Sequence, residues 1–293
     1  MTEAQTSAPT LNADPAELAK FSDLAHRWWD PESEFRPLHQ LNPLRLDWIN
    51  AQAPLAGRKV VDIGCGGGAT TLAIAGSVAP GGEVLGIDVS PDLVAATTRR
   101  AAAAGLTNAR FLCADAATAS PDGAPFDRLC SRFGSMFFAD PVLAFTNLRR
   151  MVKPGGRIDL AVWAAPSDNP WMIGPMQIVR QHVELPAPVP RAPGPFAFED
   201  LTYLGEILTA AGFGGMAAEP ATGLLAVAGP GSSPADALGF MLEGQSFGTA
   251  LSNAGEAARQ RAENELSALF ASHHQPDEGV MMGYKAWLVS AQA

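Results

Sequence analysis

The sequence predicts an α/β fold built on a mostly parallel sheet, and three observations predict it. Apolar runs of strand length alternate with helical patterns from Val60 to Trp163. Residues 60–68 read Val-Val-Asp-Ile-Gly-Cys-Gly-Gly-Gly, a buried strand running into a glycine-rich turn, and helix is expected from Ala69. A second apolar run, Glu83 to Asp88, also ends in a carboxylate. Glycines in such number lower stability unless backbone must approach something closely, so the turn reads as a nucleotide-type cofactor site.

Which cofactor it takes is decided by charge. Gly64-x-Gly66-x-x-Ala69 also matches the dinucleotide fingerprint. Asp62, two residues before the first glycine, would then face a pyrophosphate and repel it. S-adenosylmethionine has no phosphate and carries an ammonium and a sulfonium, both suited to a carboxylate there. The pattern Asp62-x-Gly64-x-Gly66-x-Gly68 resembles the first motif of class I S-adenosylmethionine-dependent methyltransferases. An NAD-linked oxidoreductase is the weaker alternative.

The following elements agree in order. Asp88 closes the second strand where an acidic side chain accepts from both ribose hydroxyls. Ser90 and Pro91 read as N-cap and first residue of the next helix. Arg110–Cys113 is a third strand, Phe126–Ser131 a fourth, and Ile158–Trp163 a fifth after the turn Lys153-Pro154-Gly155-Gly156. Asp115-Ala116 resembles the methyltransferase motif whose Asp takes the adenine amino group, and Ser131 and Arg132 at the end of the fourth strand complete the expected cofactor set. The resemblance implies a Rossmann-like seven-stranded sheet of order 3-2-1-4-5-7-6 with the last strand antiparallel, and helical cap insertions.

Composition bounds the partners. The 293 residues are 47% hydrophobic and 17% charged, with a net charge of −10. A nucleic-acid enzyme needs a basic face, and the Arg99-Arg100 and Arg149-Arg150 pairs read as solvated helix faces instead. A small-molecule acceptor and no nucleic acid are expected. Three cysteines without metal-ligand spacing, and no signal peptide or membrane-spanning run, point to the cytoplasm.

The front of the chain, with Asn42-Pro43-Leu44-Arg45, looks like the N-terminal region of the ubiquinone-biosynthesis O-methyltransferase family. There this region folds over the cofactor pocket, and the resemblance implies that Arg45 pairs with the cofactor carboxylate. The family's Glu-x-x-Glu-His metal motif is absent, since Phe133, Met136 and Phe137 stand at its positions and offer a hard cation no oxygen ligand. No metal is expected. The segment Ser131–Pro141 resembles a broader group of small-molecule methyltransferases related to those that C-methylate quinones.

The chain divides into a flexible tail at 1–15, a lid at 16–50, a cofactor core at 51–163, a proline-rich cap insertion at 164–198, a core helix and strand at 199–228, a helical cap at 229–278 and a final strand at 279–293. The paired tryptophans Trp28 and Trp29 in the lid allow a rival reading as a peripheral membrane contact. For a general base, His39 is the first choice and His182 the second. The His273-His274 pair reads as a solvated helix end. Phe133, Phe137, Trp171 and Tyr284 are candidates for an apolar acceptor pocket. The expected reaction is metal-free O-methylation of a small aromatic or quinone-like metabolite. C- or N-methylation, and non-catalytic cofactor binding, are the alternatives.

Overall fold

The computed structural model describes residues 48–52, 54–244 and 246–293. The flexible tail, most of the lid, His39 and Arg45 therefore lie outside the described residues. Residues 48–52 are helical. The core then alternates strand and helix, except that β3 runs on to β4 without a helix between: β1 (Lys59–Ile63), α1 (Ala69–Val78), β2 (Glu83–Asp88), α2 (Pro91–Ala103), β3 (Ala109–Cys113), β4 (Phe126–Arg132), α3 (Pro141–Arg150) and β5 (Val152–Trp163). After it come α4 (Pro170–His182), α5 (Leu201–Ala210), β6 (Gly214–Ala226), α6 (Pro234–Gly244), α7 (Ser246–Ser252), α8 (Glu256–Ser272), the two-residue β7 (His274–Gln275) and β8 (Gly279–Gln292).

The strands run β3-β2-β1-β4-β5-β8-β6 across the sheet, with β7 paired to β8 off this path. The first five are parallel, and β8 is antiparallel to both β5 and β6. This is the expected 3-2-1-4-5-7-6 order, with the small β7 added before the final strand. The helices start where local chemistry predicts. Ser90 accepts from the Leu93 amide at 3.4 Å and Asp140 from the Leu143 amide at 2.9 Å, each ahead of a proline at the first helical position.

Two apolar layers sandwich the sheet. Ile74, Ala75 and Val78 of α1 pack with Ile49, Val60 and Val84 on one face. Phe145 and Leu148 of α3 and Leu204 and Leu208 of α5 join Val61, Leu129 and Ile158 on the other. The cap helix α4 packs on α8 and β8. Asn169, fully buried ahead of α4, fixes that junction: its amide nitrogen donates to the carbonyls of Ala164, Ala165 and Lys285, and its oxygen accepts from the Lys285 amide.

Two expectations change, the start of β5 and the solvation of the arginine pairs, and the later helices gain definite limits. Strand β5 begins at Val152, because the Pro154–Gly156 stretch forms an irregular part of the strand beside β4 and is not a separate turn. Helix α5 begins after Asp200, whose carboxylate accepts from the Thr202 and Tyr203 amides, so Phe198 lies in the turn before it and is buried. The helical cap is three helices. The arginine pairs are not uniformly solvated: Arg99 and Arg150 are exposed, whereas Arg100 and Arg149 are half-buried and donate to backbone carbonyls. Among the described residues, no helix is long and apolar enough to cross a membrane.

One row of side chains crosses the sheet on the α1 face. Asp62 of β1 sits in register with Cys130 of β4, Cys130 with Asp159 of β5, and Asp159 with Ser290 of β8. One step along, Arg128 and Arg157 lie side by side. Arg128 Nε donates to Asp159 Oδ2 at 2.9 Å, a second guanidinium N–H closes on the same oxygen, and Arg128 Nη2 also donates to the Ile49 carbonyl at 3.1 Å. Arg157 donates to Ser290 Oγ at 3.0 Å and to Gln52 Oε1 at 3.3 Å. Two arginines thus fasten residues 48–52 to the sheet.

Candidate active site

The glycine-rich turn is built by backbone approach. Gly64, Gly66 and Gly68 all lie in the left-handed region, at φ of 66°, 52° and 78°. A Cβ on Gly64 would stand 2.8 Å from Gly134 Cα, so the turn after β1 and the turn after β4 touch backbone to backbone. A Cβ on Gly68 would overlap Thr97 Cγ2 at 2.0 Å. Helix α2 braces the loop: Thr97 Oγ1 donates to the Gly66 carbonyl at 2.9 Å, and Arg100 Nη1 donates to that of Gly67. Neither residue is a site candidate from sequence. Their three-residue spacing puts them on one helix face, but nothing in the sequence says that this face meets the first turn.

The acidic residues cluster at the carboxyl ends of β1, β2 and β3. Asp88 Oδ2 accepts from the Gly66 amide at 2.8 Å and Oδ1 from the Ser90 amide at 3.0 Å. Burial raises its pKa above the ordinary carboxylate value, although the Ser90 and Gly66 amides oppose the shift. Asp115 Oδ1 accepts from the Ala117 amide at 2.8 Å, and Asn147 of α3 holds the carbonyl of buried Ala116 at 2.9 Å. Ser131 donates to the Ile63 carbonyl at 2.8 Å and accepts from the Ser135 amide at 3.1 Å, so its hydroxyl ties the two turns together.

Asp62 is only 1% exposed. Thr71 Oγ1 donates to its Oδ2 at 2.6 Å, and Oδ1 has no partner among the described residues. Burial, opposed by Thr71 and by the Arg132 charge, lifts its pKa from 3.8 to about 6. Burial pushes the Arg132 pKa down, with Asp62 opposing. Beside this pair a small cavity lies between the sheet and residues 48–52, lined by Trp48, Ile49, Thr70, Arg132, Asp159 and Leu288 among others. Two of its residues carry buried polar atoms without a partner among the described residues, Asp159 Oδ1 and Trp48 Nε1.

The raised Asp62 pKa has a signed consequence. Protonated Asp62 favours the ligand-free fold, so its contribution to stability is complete below pH 4 and is lost as pH rises through about 6. A shift of that size corresponds to about 3 kcal/mol. A cationic ligand beside Asp62 favours the ionised form, so its affinity is expected to rise between pH 5 and 7.5. Calorimetry of S-adenosylhomocysteine, which carries the same ammonium, checks this at the two pH values. The Asp62→Asn variant should give a flat profile, and a wild-type affinity independent of pH counts against the assignment.

An aromatic group closes the same end of the sheet. Phe133 follows β4 with φ of 58°, a strained conformation for a bulky side chain. Its ring stacks on Trp163 at 4.1 Å, and Trp171 in the first turn of α4 tilts against Trp163 at 5.5 Å. The structure thus joins the candidates Phe133 and Trp171 through Trp163, which the sequence offers only as a strand residue. Tyr284 lies across β8, over the Cα of Gly223 in β6, and Phe137 is half-buried in the turn at Ser135–Phe137. His182 is not brought to this group. It sits at the far end of α4, roughly 17 Å along the helix from Trp171, and faces Glu265 of α8 at 3.1 Å. His274 is exposed in β7. Among the described residues, no three His, Cys, Asp or Glu side chains group as a metal site.

The comparisons agree with this geometry. A family described as Methyltransferase domain matches residues 60–156, from β1 into β5. The core is a class I methyltransferase domain. Such a domain is an enzyme's, with S-adenosylmethionine as cofactor. The chain is 46% identical over 151 residues to a ubiquinone biosynthesis O-methyltransferase of Paracidovorax citrulli, covering 51% of this chain and 62% of that protein. It is 47% identical over 150 residues to the protein of the same name from Albidiferax ferrireducens, covering 50% and 58%. The chain thus spans less than two thirds of the length of the curated relatives it matches. Among solved structures, the YcgJ protein from Bacillus subtilis superposes with a TM-score of 0.55 at 19% identity, covering 85% of this chain and 98% of that one. The magnesium protoporphyrin IX methyltransferase of Synechocystis, solved with S-adenosylhomocysteine, gives 0.53 at 14% identity, with 95% of each chain covered. These likenesses establish the fold.

Proposed function

We propose that this methyltransferase moves the methyl group of S-adenosylmethionine to an oxygen of a small aromatic or quinone-like metabolite, without a metal. The observation that carries the reading is the cradle at Gly64–Gly68 with the unpartnered Asp62 Oδ1 beside it. A cationic amino-acid end satisfies that oxygen, and a side chain at Gly64 or Gly68 would collide with Gly134 or Thr97 and deform the turn. Asp88, at the end of β2, serves the ribose hydroxyls, and Asp115 with Ala116 serves the adenine. When bound, the cofactor supplies a methyl already activated on a sulfonium. The protein's work is to align the acceptor oxygen and exclude water. The methyl goes to that oxygen, and the proton it loses goes to a base or to solvent. Oxygen as the acceptor atom rests on the names of the relatives.

Arg45 and His39 enter this proposal from the sequence alone, Arg45 for the cofactor carboxylate and His39 as base. Residues 48–52, held by Arg128 and Arg157, are where the lid would join the core.

The test is transfer of a labelled methyl group from S-adenosylmethionine to a panel of phenols and catechols, with the products identified. EDTA should leave turnover within twofold, because Phe133, Met136 and Phe137 stand where the relatives' family carries its acidic metal motif. Loss with recovery on added magnesium would overturn the metal-free part. Cofactor binding without transfer to any acceptor would favour a non-catalytic role.

A further inference from the structure

Two buried hydrogen-bond donors at the aromatic end of the sheet have no partner among the described residues. Trp171 is 5% exposed and Ser135 fully buried, yet Trp171 Nε1 and Ser135 Oγ form no hydrogen bond. A buried polar group left unpaired is destabilising, and native structures pair nearly all of them. Both belong to the surroundings of the Phe133–Trp163 stack. Ser135 is two residues beyond Phe133, and Trp171 packs its ring on Trp163.

Both are also held in place. The Ser135 amide is fixed by Ser131 Oγ at 3.1 Å, and the turn is tied to the cap by the Gly194 amide donating to the Met136 carbonyl at 3.1 Å. Trp171 follows Asn169, whose side chain makes hydrogen bonds to three backbone carbonyls and one amide. The backbone at Phe133 adds strain at the same place, the kind of outlier that a fold retains where function needs it.

Resting on the methyl-transfer reading above, we infer that Trp171 Nε1 and Ser135 Oγ together bind an oxygen of the methyl acceptor, at the edge of the aromatic group formed by Phe133, Trp163 and Trp171. An indole N–H only donates, and a hydroxyl can donate as well. Their shared ligand is therefore an acceptor atom such as a carbonyl, phenol or phenolate oxygen. The rings beside them suit a planar, uncharged body. The acceptor class is a flat ring with an exocyclic oxygen, and an alkylammonium is disfavoured because it offers the indole N–H no lone pair.

The test compares 2-naphthol with naphthalene, two flat rings that differ by one oxygen. Equilibrium dialysis against the full chain, with S-adenosylhomocysteine in excess, should show 2-naphthol held at least tenfold tighter. Trp171→Phe keeps the ring and removes the N–H. It should narrow that gap to threefold or less with naphthalene unchanged, and Ser135→Ala should narrow it independently. Unchanged circular dichroism and unchanged S-adenosylhomocysteine affinity identify a folded variant. Equal affinity of the wild type for both rings overturns the inference. So does a gap that persists in both variants, since the donors would then serve an ordered water. If the naphthol gap is present but S-adenosylhomocysteine does not bind, the ring site stands and its role as the acceptor's site is overturned with the methyl-transfer reading.

Discussion

Arg128→Met is expected to lower the stability of the fold by about 3–5 kcal/mol, because it removes one partner of a buried ion pair. Asp159 has a fully buried side chain, and its Oδ1 already lacks a partner. Burial pushes its pKa up, and Arg128 is the charge that opposes this most. Without the guanidinium, the carboxylate stands uncompensated in the middle of the sheet and the Ile49 carbonyl loses its donor. The denaturation midpoint in urea, followed by circular dichroism, measures the loss. The double variant Arg128→Met, Asp159→Leu should recover most of it, because two apolar side chains leave no charge to satisfy. A single variant within 1 kcal/mol of wild type would show that the pair is not what holds this part of the sheet.

Asp88→Ala is expected to weaken cofactor binding by about 10²-fold or more. Two charge-assisted hydrogen bonds to ribose hydroxyls are each worth roughly 1.5–3 kcal/mol, and about 1.4 kcal/mol is a factor of ten. The same carboxylate also receives the Gly66 and Ser90 amides, so its removal loosens the loop that forms the cradle. Calorimetry with S-adenosylhomocysteine measures the effect. A folded variant that binds within threefold of wild type would remove Asp88 from the site.

What the sequence makes legible is local. A strand, a glycine turn and a helix announce themselves in a dozen residues, and Ser90, Asp140 and the prolines after them mark helix starts that the structure keeps. The sheet order follows because these units come in a familiar series. What stays hidden depends on contacts between distant elements. Arg100 looks like one of two surface arginines until α2 is laid against the first turn, where it meets the Gly67 carbonyl. Trp163 reads as the last residue of a strand until the turn after β4 brings Phe133 onto its face. The left-handed backbone of Phe133 has no local sign at all, since the residue type argues against it. His182 has the right chemistry for a base, but the length of α4 sets it beside Glu265.

The position of β8 bears on how the chain assembles. The five parallel strands lie in one continuous stretch of sequence, and each finds a neighbour within it. Strand β6 does not, because its sheet partner is β8, and β8 also pairs with β5 from over a hundred residues further along the chain. Until β8 arrives, β5 has an open edge and β6 has no place in the sheet. Contacts of such long sequence separation close late, because the chain between them must first be ordered. The parallel half has its partners in the earlier part of the chain, whereas the antiparallel half needs β8 before β6 can join the sheet. An unpaired β5 edge in that interval is a template for another chain, so the hazard in making this protein lies in the wait for its final strand.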